Sequence, residues 1–140
     1  GQVLPVPAWR VSALAMDADG TLAVGGGDGR IHLWSLAGEP APRLLVRHQD
    51  EVTVLAVERS GPLLVSGGRD RTLRLWALPS GRLTHTITAP KAAITALACH
   101  PQDGRIVSGD AEGHVQVWSA ADGAAGLVIY KTPGPVTALA

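Results

Sequence analysis

The sequence predicts an all-β protein assembled from a repeated four-stranded antiparallel module. Three observations carry the prediction. Trp34, Trp76 and Trp118 stand 42 residues apart, and aligning on them superposes VSALAMDADGTLAVGGGDGRIHLW from Val11, VTVLAVERSGPLLVSGGRDRTLRLW from Val52 and ITALACHPQDGRIVSGDAEGHVQVW from Ile94. Within each unit, short runs rich in Val, Ile, Leu and Thr are broken by Gly, Ser and Asp at strand-length intervals. Seventeen glycines, ten prolines and no phenylalanine describe a turn-rich chain with an aliphatic core. A period in this range with four strands per period is the pattern of propeller blades.

The elements follow in order. Residues 2–6 (QVLPV) fit the outer strand of a preceding module. In the second unit, strands are expected at about Val52 to Val57, Leu63 to Gly67, Thr72 to Trp76 and Arg82 to Ile87, separated by ERSG, GGRDR and LPSG. Those breaks supply glycine for positive φ and Ser or Asp for local hydrogen bonds. In TLRLW, Leu73 and Leu75 face one way and Arg74 and Trp76 the other. Stacked blades cover both faces of a middle strand, which accounts for an indole on the nominally polar side. Asp28, Asp70 and Glu112 each precede their Trp by six residues, where a carboxylate can accept several donors and close the turn. Units are placed at about 11–51, 52–93 and 94–135. The final VTALA, 136–140, repeats VSALA, VTVLA and ITALA and is expected to open a fourth unit.

Composition narrows function. Twelve Lys and Arg balance twelve Asp and Glu, so no net field draws the chain to nucleic acid or an acidic membrane. No apolar run approaches the ~20 residues needed to span a bilayer. Cys99 is the only cysteine, which excludes an intrachain disulfide and points to a reducing intracellular setting, expected to be the cytoplasm. Cys99 and His100 are adjacent, poor spacing for two ligands of one metal, and His32, His85 and His114 show no partner pattern. Neither a metal nor a cofactor is expected, and Cys99 reads as a small core residue.

The residues resemble the WD-repeat (WD40) family of β-propellers. Its unit runs from Gly-His through a strand, a Ser-Pro-Asp-Gly-like turn and a Ser-Gly-Ser-x-Asp stretch to a strand ending Trp-Asp. This chain shows DADG at 17–20, VSGGRD at 65–70, HPQDG at 100–104, and strands ending IHLW, LRLW and VQVW. It departs from the family in following each Trp with Ser35, Ala77 or Ser119, and in filling the His position only with His48, where Pro7 and Pro90 stand elsewhere. The resemblance implies a WD40-type propeller fragment: three four-stranded antiparallel blades, a preceding outer strand and the first strand of a fourth blade. It also implies that His48, Ser66, Asp70 and Trp76 form a buried hydrogen-bonded tetrad. Only the middle unit carries all four. The first has Val24 in the Ser position, and the third has Ser108 with Glu112 but no His. Asp28, Trp34, Ser108, Glu112 and Trp118 are accordingly expected as blade-structure residues.

Several motifs admit a chemical reading. His48, Ser66 and Asp70 are the residue types of a hydrolase triad, yet they coincide with the implied tetrad, and a nucleophile needs an open cleft with oxyanion donors. GGGDGR at 25–30 could cradle a phosphate only before a helix, whereas a strand ending IHLW follows. Arg69, Arg71 and Arg74 form a basic run, but Asp70 interrupts it and a solvated rim is the simpler reading. No catalytic residue is assigned.

The resemblance therefore implies a non-enzymatic scaffold that displays loops to a protein partner. On one end face, family geometry gathers the loops entering each first strand with those joining second and third strands. These hold Gln49, Asp50 and Ala111 beside the candidate anchors Trp9, Arg10, Glu51, Arg69, Lys91 and Asp110. Trp and Arg dominate binding hot spots, and Trp9 lies off the repeated Trp register. Closed propellers have at least four blades, so the expected partners include the rest of the chain's own propeller. Copies associating to complete a ring are the alternative. A rival reading makes the chain the sensor or regulatory propeller of a larger signalling ATPase or kinase.

Overall fold

A computed structural model describes residues 10–36, 43–45, 48–58, 63–78, 80–88, 90–100, 103–120, 133–137 and 139, with 125–131 described by their backbone. The described residues form strands and turns without a helix. The first sheet holds β1 (Val11–Met16), β2 (Thr21–Gly26), β3 (Ile31–Ser35) and β4 (Arg43–Leu44). The second holds β5 (Val52–Val57), β6 (Leu63–Gly68), β7 (Leu73–Ala77) and β8 (Arg82–Ile87). The third holds β9 (Ile94–Cys99), β10 (Arg105–Asp110), β11 (His114–Ser119) and β12 (Ala125–Lys131). Each is an antiparallel meander in chain order. The sequence boundaries of the second unit hold to within a residue. The expected outer strand at 2–6 lies outside the described residues.

The indoles occupy one register: Trp34 pairs with Leu22, Trp76 with Leu64 and Trp118 with Ile106. All are buried; Trp76 and Trp118 pack against the sheet that precedes their own, and the Trp34 ring lies 5.7 Å from that of His32, centroid to centroid. One core layer joins Ile31 and Leu33 of the first sheet to Leu55, Leu64 and Trp76 of the second. The next joins Val65, Leu73 and Leu75 to Leu97, Ile106 and Trp118. Shielding is reciprocal. Leu55 and Leu97 are 7% and 8% exposed, whereas Leu14, their equivalent on β1, is 61% exposed, since among the described residues no strand lies against that side.

A repeated device ties sheet to sheet. Every first strand bulges at its second residue, Ser12, Thr53 or Thr95. The bulge turns the hydroxyl towards two acceptors. One is the second-strand carbonyl of Gly25, Gly67 or Gly109, at 3.2, 3.0 and 3.3 Å. The other is the carbonyl opening the next unit, that of Val52, Ile94 or Val136. Glycine is required beside these contacts: a methyl at Gly25 would stand 2.6 Å from Val52 Cγ1, and one at Gly67 2.5 Å from Ile94 Cγ2.

Val136 thus occupies against the third sheet the place that Val52 and Ile94 occupy against the first and second. Its N–H donates to Asp110 O at 3.0 Å. Of the residues expected to open a fourth unit, Val136, Thr137 and Leu139 are described, and they join no ladder. A first strand pairs along one edge with its own second strand, and no described strand pairs with these residues.

Candidate partner-binding face

An antiparallel meander sends alternate turns to opposite ends, so the β2–β3, β6–β7 and β10–β11 turns share an end with the loops entering β1, β5 and β9. Backbone hydrogen bonds fasten them: Gly27 N to Arg10 O, Arg69 N to Glu51 O and Ala111 N to Ala93 O, each 2.9 Å.

The second sheet anchors this end with a connected chain of bonds. Trp76 Nε1–H donates to Ser66 Oγ at 2.9 Å, and Ser66 Oγ lies 2.6 Å from His48 Nε2. His48 Nδ1 lies 3.0 Å from Asp70 Oδ2. One neutral tautomer satisfies the chain: Ser66 O–H donates to Nε2, and Nδ1–H donates to Asp70. Burial lowers the His48 pKa, against the opposing charge and hydrogen bond of Asp70 and with further lowering by Arg74. The contact is therefore a hydrogen bond of neutral imidazole to carboxylate. Asp70 also accepts from Gln49 N (3.0 Å), Thr72 N (3.1 Å) and Thr72 Oγ1 (2.7 Å). Burial would raise its pKa, but the Thr72 hydroxyl, His48 and the Gln49 amide together hold it below the ordinary value. With His48 and Ser66 both 0% exposed and the Ser hydroxyl bonded on both sides, the arrangement offers no accessible nucleophile. Its chemistry is to lock the turn onto the sheet. Thr72 was missed by sequence reasoning, although a hydroxyl two residues after a turn carboxylate is a legible signal.

The other sheets carry partial versions. In the third, Trp118 Nε1 donates to Ser108 Oγ at 2.8 Å. Here the expected turn carboxylate is corrected. Glu112 is exposed, while Asp110, at the end of β10, is 3% exposed and accepts from Glu112 N, His114 N and His114 Nδ1 at 2.9, 2.9 and 3.0 Å. Asp110 is thus a buried turn residue and not a surface anchor. His114, which showed no partner pattern in sequence, is its partner. In the first sheet, Asp28 accepts from Arg30 N at 3.0 Å and pairs with Arg30 Nη1 at 3.3 Å. Val24 holds the position that Ser66 and Ser108 hold in the other sheets, and Trp34 Nε1 is buried with no hydrogen-bond acceptor among the described residues. Cys99 is half-buried against the second core layer, and burial, aided by the Glu58 charge, pushes its thiol up to about 11.

At the surface, Glu51 binds both Arg10 and Arg69 Nε, the latter at 3.1 Å. The guanidinium-bearing side chains are 71% and 62% exposed, while Glu51 is 14% exposed. Three predicted anchors from two neighbouring sheets therefore form one ionic cluster. Lys91 is exposed in the loop entering β9. Trp9 lies outside the described residues.

The profile of the WD40 family, described as WD domain, G-beta repeat, matches residues 2–35, 42–77 and 81–119. The chain belongs to the WD40 repeat family. Similar solved structures include the computationally designed Ika4 protein, 30% identical with a TM-score of 0.88 over 100% of this chain and 86% of that one. U3-55K has a TM-score of 0.91 at 21% identity, covering 98% of this chain and 44% of its own. The RRP9 WD40 repeats have a TM-score of 0.90 at 21% identity, covering 98% and 43%. The WD40 chain spans less than half the length of the last two, whose likeness shows the fold alone. The comparison with curated proteins returned no match. WD40 domains generally serve as protein-interaction scaffolds and are typically non-enzymatic.

Proposed function

We propose that this chain is a non-enzymatic interaction scaffold that captures a protein partner through the end face carrying Arg10, Glu51, Arg69 and Lys91. The observation that supports this most is the ionic cluster. Two largely exposed arginines are held in place by one mostly buried carboxylate on loops that are themselves bonded to rigid sheets. Arginine presented on a pre-ordered loop loses little entropy when it binds, the condition for a hot spot. The residues that resemble a catalytic triad are spent on internal hydrogen bonds.

Photo-cross-linking tests the reading. A benzoylphenylalanine replaces Arg69 or Lys91 on this face, or Arg82, which opens β8 at the opposite end. In extract from the source organism, discrete adducts are expected from positions 69 and 91 and none from 82. Arg10→Glu combined with Arg69→Glu should reduce the adduct formed at position 91. Equal adducts from all three positions, or none from 69 and 91, would contradict the proposal.

A further inference from the structure

The β6–β7 turn and the loop entering β9 border an open cleft of about 430 Å³ lined by Asp70, Arg71, Thr72, Thr88, Pro90 and Lys91. Its charge is one-sided. Asp70 is the only carboxylate among these residues; its side chain is 8% exposed and its oxygens are taken up by Gln49, Thr72 and His48. Arg71 and Lys91 are exposed, and among the described residues neither joins an ion pair. Other arginines on this face are engaged: Arg10 and Arg69 share Glu51, and Arg30 holds Asp28.

A second observation is independent of charge. Arg71 has φ 63°, the one positive value at a non-glycine among the described residues. The same position, five residues before the Trp, is Gly29 (φ 86°) in the first turn and Gly113 (φ 92°) in the third. A side chain with a Cβ is disfavoured there, and glycine is not. Two turns use the residue that fits the backbone. The middle turn instead sets a guanidinium at the cleft, and a local conformation held against its preference is grounds for a functional hypothesis.

We propose that this cleft between the second and third blades seats an acidic side chain of a partner polypeptide, its carboxylate held by Arg71 from one loop and Lys91 from the other. This rests on the reading that the end face binds protein, and it names the chemistry of the bound segment. Guanidinium matches a carboxylate in a two-pronged geometry, the ammonium adds a second charge, and Thr88 O–H is a further donor on the wall. A polypeptide is favoured over nucleic acid because twelve cations balance twelve anions in the whole chain, leaving no extended field to track a phosphate backbone beyond this local pair of cations.

The experiment is an amide NMR titration of the full ¹⁵N-labelled chain with the blocked peptide Gly-Glu-Glu-Glu-Glu-Gly, its Gln counterpart and inorganic phosphate. With the Glu peptide, saturable shifts are expected at Arg71, Thr72, Thr88 and Lys91, weakening as salt is raised. The Gln peptide should leave those amides in place. Arg71→Gly should fold with a thermal midpoint no lower than the parent and bind the Glu peptide roughly tenfold more weakly, and Lys91→Ala should weaken it similarly. The proposal is overturned by shifts centred elsewhere, by equal response to the Gln peptide, by undiminished binding in Arg71→Gly, or by phosphate competing as tightly as the peptide. Cross-links at positions 69 and 91 that persist when the peptide fails would remove this inference alone; loss of both would remove the scaffold reading as well.

Discussion

Asp70→Ala and Asp28→Ala delete chemically identical carboxylates at equivalent turns, and the structure assigns them very different consequences. The Asp70 side chain, 8% exposed, accepts from the Gln49 and Thr72 amides, the Thr72 hydroxyl and His48 Nδ1. After truncation, water can reach the exposed Gln49 amide but not His48, which is 0% exposed and whose Nδ1 keeps only Thr72 Oγ1 at 3.0 Å, a hydroxyl that has itself lost its carboxylate acceptor. A buried donor left without an acceptor costs about 1–3 kcal/mol, and a hydrogen bond to a charged group is worth about 1.5–3 kcal/mol. A loss near 3 kcal/mol is therefore expected, a large share of the ~5–15 kcal/mol typical of a domain. Asp28 is 31% exposed, and its partner Arg30 is 45% exposed. After discounting for solvent, that pair is worth about 0–1 kcal/mol. Urea unfolding followed by tryptophan fluorescence at neutral pH measures both, and a shifted midpoint at constant slope isolates stability. The Asp70 variant should unfold at clearly lower urea. Equal midpoints would refute the claim that the hydrogen-bonded chain, and not turn charge in general, holds the middle blade.

Three further outcomes are expected. Val24→Ser should be more stable than Val24→Ala by about 1 kcal/mol, because the hydroxyl gives the buried Trp34 Nε1–H the acceptor that Trp76 and Trp118 already have; identical melting of the two variants would remove that reading. Leu55→Ala should cost about 2–5 kcal/mol and Leu14→Ala well under 1 kcal/mol, since one side chain is 7% and the other 61% exposed; denaturant midpoints decide it. Because burial depresses His48 below 6.5, the unfolded chain takes up a proton that the folded chain refuses. Stability should therefore begin to fall as pH drops below about 6.5, and continue falling to the folded-state value. His48→Gln should flatten that slope in melts across pH 7.5 to 5.5, and an unchanged slope would assign it elsewhere.

Strand positions were legible because the Trp register and the Gly-rich turns repeat, and a strand's alternation follows directly from sequence. The middle tetrad was legible through family likeness, which supplies the spatial meeting of residues 48, 66, 70 and 76. The third turn was misread because counting six residues back from Trp118 lands on Glu112. The β9–β10 register instead places Asp110, eight residues back, at the buried end of its strand. Spacing alone does not tell a carboxylate pointing inward from one pointing out. Ser12, Thr53 and Thr95 escaped notice for a related reason. A hydroxyl after a β-branched residue is visible in VS, VT and IT, but its role depends on a bulge that turns it towards the next sheet. The ionic cluster of Arg10, Glu51 and Arg69 likewise needed the loop geometry, which brings residues 10 and 51 together across two sheets.

A sheet module repeats along the chain and seats the opening residue of each unit against the glycine of the one before. Nuclear Overhauser contacts between glycine α-protons and methyl groups read this directly. Strong cross-peaks are predicted for Gly25 with Val52, Gly67 with Ile94 and Gly109 with Val136, in one common pattern. Absence of the Gly67 to Ile94 contact, or three unlike patterns, would contradict it.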